Sequence, residues 1–69
     1  MIMHNRPFLI RVFFSVGSPQ VARVIPGTQV TLDQAVTEAR VNAQRDEDFF
    51  AGRAGEEPRT VSVRGWVRV

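Results

Sequence analysis

Few side chains in this 69-residue sequence could take part in covalent chemistry, and their spacing keeps them apart. His4 is the one histidine, and it precedes the first apolar run, where an exposed terminal residue is a plainer reading than a base or a ligand. A zinc site needs several histidine or cysteine ligands, and the chain has no cysteine at all. The carboxylates Asp46, Glu47, Asp48, Glu56 and Glu57 lack the spaced-ligand pattern of a calcium loop, so solvated charge is the simpler assignment. Gly52-Arg53-Ala54-Gly55 is not followed by the Lys-Ser/Thr pair of a phosphate loop. No nucleophile stands in an evident pairing with a base. These residues lead us to expect no enzyme, no cofactor and no metal.

What remains is arginine and aromatic side chains. All nine basic residues are arginine, against seven carboxylates, for a net charge of +2. Arginine offers a planar, bidentate fork where lysine offers a point charge. So weak a net charge does not make a nucleic-acid binder, and the placement of the arginines carries the information. The C-terminal run Arg64-Gly65-Trp66-Val67-Arg68-Val69 holds the one tryptophan between two of them.

Several elements must position these groups. Residues 7–16 alternate with period two: Phe8, Ile10, Val12, Phe14 and Val16 share one face, and Leu9, Arg11, Phe13 and Ser15 the other. After the turn residues 17–19 comes a second strand over residues 20–25. Arg23 must avoid the core, which favours Phe14 opposite Ala22 and Phe13 opposite Arg23, with a loop of about five residues or a bulge between the strands. Thr31 fits a helix N-cap, Gln34 completes a capping box, and Val30 with Ala35 suits a hydrophobic staple. Leu32, Ala35, Val36, Ala39 and Ala43 then form one apolar stripe. The cluster Asp46, Glu47 and Asp48 opposes the helix dipole, which predicts a helix end near residues 44–46 and places Phe49 or Phe50 in a strand or loop beneath the helix. A last strand covers residues 59–69, with Val61, Val63, Gly65, Val67 and Val69 on one face and Arg64, Trp66 and Arg68 on the other.

The expectation is one α+β domain over residues 1–69: an antiparallel sheet of three to four strands, ββαβ or ββαββ, with one helix on one face. The second face then carries Arg11, Phe13, Arg23, Arg64, Trp66 and Arg68, a composition enriched at binding hot spots and on platforms that stack single-stranded bases. Two arrangements of Trp66 stand side by side, because a bulge or turn at Gly65 would reverse the phase and aim the indole at the core. The first apolar run is broken by Arg11 and precedes no clean cleavage site, and no stretch approaches the ~20 apolar residues of a membrane helix, so a soluble, cytoplasmic chain is expected.

The order of elements, the stretch "VIPGTQVTLDQAVTEA" and the Val/Arg-rich last strand resemble small phage-encoded ββαβ proteins. These are inhibitors of host RNA polymerase and anti-CRISPR proteins that sit on the DNA path of an effector complex. The resemblance covers the layout of residues 8–69, and its one motif is "TLDQA". It implies a non-enzymatic inhibitor that binds a host protein or ribonucleoprotein in the host cytoplasm, blocking CRISPR interference first and RNA polymerase second. By the same likeness Arg64 and Arg68 match basic contacts, and Asp46, Glu47 and Asp48 would imitate phosphate as a secondary acidic patch. Direct nucleic-acid binding by the Arg/Trp face, and a homodimer formed through that face, are the competing readings.

Overall fold

The structure, a computed structural model, describes residues 6–27 and 31–69. His4 and Val30, named above, lie outside the described residues. The chain forms β1 (Phe8–Phe14), β2 (Gln20–Val24), α1 (Leu32–Ala54) and β3 (Val63–Arg68). The three strands make one antiparallel sheet in the order β2-β1-β3. This is the α+β layout that the alternation and the capped helix predict.

The alternation in β1 sets the sheet's two faces. Ile10, Val12 and Phe14 are buried, while Leu9, Arg11 and Phe13 point away from the helix. β2 pairs with β1 as Phe8 to Val24, Ile10 to Ala22 and Val12 to Gln20. The partners differ from the expected Phe14–Ala22 pairing by four residues along β1. Four is an even step, so Ala22 and Val24 still face the helix and Arg23 still faces away. A five-residue connection, residues 15–19, joins the two strands.

The helix covers this layer with small side chains. Ala35, Ala39 and Ala43 are buried at a spacing of four, with Leu32 and Val36 packed beside them. Small residues let the helix lie close over β2 and β1, and it leaves β3 largely uncovered. The Thr31 hydroxyl accepts from the Gln34 amide at 3.2 Å. The Gln34 side chain donates to Glu38 at 3.1 Å, so the reciprocal half of the capping box is replaced by an i,i+4 contact.

The helix does not stop at residues 44–46. It continues to Ala54 and closes on Gly55, whose φ of 70° is open to glycine at little cost. The Glu56 amide bonds back to the Ala51 carbonyl at 2.8 Å and the Gly55 amide to Gly52 at 3.2 Å, a Schellman closure. The acidic cluster is tolerated because its members find partners outside the dipole. Glu47 pairs with Arg59 at 3.2 Å, and Asp48 accepts from the Gln44 side chain at 3.0 Å. Phe49 and Phe50 consequently stand exposed on the projecting helical turns, in T-shaped contact at 5.3 Å, instead of beneath the helix.

Residues 56–62 belong to no helix or strand and return along α1, whose side chains bind their backbone. The Gln44 amide group donates to the Arg59 carbonyl at 2.8 Å, while its oxygen accepts from the Val61 amide at 2.8 Å. One side chain thus supplies the donor and acceptor that a flanking strand would present. The Arg59 amide adds a bond to Glu47 at 2.8 Å. This clamp seats Val61 in the core, where it is buried completely with Ile10 and Val12.

Candidate protein-binding surface

β3 reverses its own facing partway along. Phe14 pairs with Val63, yet Phe13 pairs with Gly65, so Arg64 is the extra residue of a bulge. Before the bulge, Val61 and Val63 face the helix side. Beyond it the pairs are Val12–Trp66, Arg11–Val67 and Ile10–Arg68. Directly opposed residues of an antiparallel pair share a face. Trp66 and Arg68 therefore lie on the helix side of the sheet, and Val67 on the open side. The phase reversal that a bulge at Gly65 would cause is what occurs.

This splits the six residues expected on one surface. Arg11, Phe13 and Arg23 remain together on the open face. Arg64 sits at the bulge, and Trp66 and Arg68 lie on the opposite side. Trp66 is nevertheless not a core residue. Because α1 does not reach over β3, the indole stays 43% exposed. Beside it the Arg68 guanidinium lies over the Phe8 ring at 4.4 Å, a cation–π contact.

The open face is more apolar than the alternation suggested. Val67 and Val69, expected to face the core, are turned outward by the bulge, and the Val69 amide donates to the Leu9 carbonyl at 2.9 Å. Three rows cross the sheet: Arg23–Leu9–Val69, Val21–Arg11–Val67, and Phe13–Gly65. Leu9, Phe13, Val21, Val67 and Val69 are each between 37% and 62% exposed. Leu9 was legible in the period-two pattern of the first strand. Val67 and Val69 were not, because no local signal in Arg64-Gly65 fixes which residue is extra.

The carboxylates keep to one layer, while arginines occur in both. The strands hold Arg11, Arg23, Arg64 and Arg68 and no carboxylate, whereas every Asp and Glu lies on the helix or in residues 56–57. The acidic cluster is not one patch, since neighbouring positions on a helix point about 100° apart. Glu47 is bound to Arg59, and the Asp46 carboxylate is 3.5 Å from the Gln20 amide. Hydrogen bonds from the Arg59 side chain, then from its backbone amide, hold the Glu47 carboxyl below its ordinary range.

A groove of about 440 Å³ runs between the β1–β2 connection and the helix, lined by Val16, Pro19, Asn42, Asp46 and Phe50 among others. Among the described residues no histidine lines it. Among the described residues no helix is long and apolar enough to cross a membrane. No protein-family model matches the chain, and no curated protein or solved structure is detectably similar to it.

Proposed function

We propose that this chain is a non-enzymatic protein-binding module that docks through the open face of its sheet. One observation carries the reading. Five large apolar side chains and two arginines share an uncovered face that contains no aspartate or glutamate. Contiguous exposed apolar groups with interspersed arginine mark interaction surfaces more often than solvated ones. The surface suits a protein partner whose own face is apolar and bears carboxylates toward Arg11 and Arg23. A stacking platform for bases would need several aromatic groups on one face, and among the described residues only Phe13 stands here.

The activity we propose is inhibition by occupation, of the kind that phage-encoded proteins exert on a host CRISPR effector complex in the host cytoplasm. Its support is the strand–strand–helix–strand layout, together with the absence of any need for chemistry in such a role. Host RNA polymerase is the second target of the same class.

Purified chain should bind an immobilised CRISPR effector complex and reduce its DNA cleavage. Leu9→Asp should weaken that binding by at least ~30-fold, the effect of losing a hot-spot contact of about 2 kcal/mol. Binding to RNA polymerase alone would move the target. Binding to neither, or equal binding by Leu9→Asp, would refute the assignment.

A further inference from the structure

We propose that the outer edge of β3 is a self-pairing site, at which a second copy adds its own β3 antiparallel about a two-fold axis at Val67. This rests on the hydrogen-bond pattern and side chains of one strand, and does not depend on what the open face binds.

β3 is the outermost strand on its side of the sheet. The bond from the Val69 amide to the Leu9 carbonyl, with the Arg11–Val67 pairing, fixes the pattern on its inner side. Amides alternate along an antiparallel ladder, so Val67 and Val69 bond inward to β1, and Trp66 and Arg68 direct their N–H and C=O groups outward. The bulge at Arg64 interrupts this edge, leaving residues 65–69 as its regular stretch. Val67 is the centre of that stretch.

Side chains select the same register. With the axis at Val67, Trp66 lies opposite the partner's Arg68, and Arg68 opposite the partner's Trp66. Both outward-directed residues then meet outward-directed partners, as the backbone bonds require. An axis at Trp66 would set Arg64 against the partner's Arg68, and one at Arg68 would oppose two guanidinium groups. Like charges directly opposed destabilise a pair, whereas arginine over an indole is attractive. Registers centred between residues would face outward amides to inward ones. The Arg68 guanidinium lies 4.4 Å from the centroid of the Phe8 ring, so this side chain already engages an aromatic ring within the chain. Of the usual edge protections the strand has the bulge at Arg64 and the charge of Arg68, but no proline interrupts residues 65–69 and α1 does not cover them. On the open side Val67 would meet its own copy, joining two apolar faces into one six-stranded surface.

Disulfide trapping tests the register, because the native chain contains no cysteine. At the two-fold position the two Cα atoms of a non-hydrogen-bonded pair lie about 4.5 Å apart, within reach of a disulfide. Val67→Cys should oxidise rapidly to a covalent dimer. Val69→Cys and Leu9→Cys, on the same face, should not. By light scattering, the mass of the unmodified chain should rise with concentration from 7.8 kDa toward twice that value. Trp66→Ala should weaken this association about tenfold through loss of the two cation–π contacts. A monomer mass up to millimolar concentration would overturn the proposal. So would cross-linking of Leu9→Cys as fast as Val67→Cys, which would place the contact face to face.

Discussion

Two polar residues on α1, Gln44 and Glu47, hold the least regular part of the chain. Gln44→Ala would leave the part-buried Val61 amide without its partner, at a cost of about 1–3 kcal/mol, while water can replace the bond to the exposed Arg59 carbonyl. For a domain of this size that corresponds to a fall in melting temperature of about 4–8 °C per kcal/mol, measurable by circular dichroism. Glu47 supplies the pH dependence. Its folded-state carboxyl is held below the ordinary glutamate range by the Arg59 bonds. Its contribution is therefore complete above that range and is lost as pH falls through the lowered folded value. Melting temperature should decline on acidification, and Glu47→Gln should flatten that decline while lowering the neutral-pH value. Trp66 provides an optical check. An indole nearly half exposed should emit to the red and be quenched readily by acrylamide, whereas a blue, protected emission in dilute solution would contradict its placement.

At the level of elements, the length of α1 and the bulge of β3 decide the architecture. Gly55 ends the helix with a positive φ, and Gly55→Ala should cost roughly 1–2 kcal/mol, since a Cβ crowds the following carbonyl in the left-handed region. The cost appears as strain at the cap, so amide exchange should accelerate first in the last helical turn. The bulge controls facing. Trp66 and Arg68 lie on the helix side and Arg64 sits at the bulge, so Arg64→Glu with Arg68→Glu should leave open-face binding within a few-fold of the native value. Arg11→Glu with Arg23→Glu should abolish it. Opposite ranking of these two double variants would return the binding role to the C-terminal strand.

For the whole molecule, a thin margin governs what can be changed. A chain of this length has a stability on the order of 3–10 kcal/mol. Ile10 is fully buried on the central strand, and Ile10→Ala should cost about 2–5 kcal/mol, enough to leave much of the population unfolded at moderate temperature. The open-face variants touch none of this core, so their melting curves should stay close to native. Four arginines and no Asp or Glu lie on the strands, whereas all seven carboxylates share the helix and its following loop with Arg40, Arg45, Arg53 and Arg59, so the open face is the more basic side. Association through the open face should therefore slow as salt is added, because screening removes the steering by Arg11 and Arg23.

Local patterns were sufficient for much of this protein. Period-two alternation in residues 8–14 named the buried set and the outward Leu9, Arg11 and Phe13. The spacing of Ala35, Ala39 and Ala43 named the helix face, and the cost of burying Arg23 chose its side. Each of these is decided by neighbours within a few residues. The end of α1 and the facing of Trp66 were decided elsewhere. Asp46, Glu47 and Asp48 oppose the helix dipole locally, and a segment more than ten residues away supplies the Arg59 that offsets it. Trp66 follows the bulge, which exists because Val61 is clamped into the core by Gln44 while Val67 keeps register with Arg11. Meeting both constraints takes one residue more than a regular strand allows, and that residue became visible only with both ends of β3 in place.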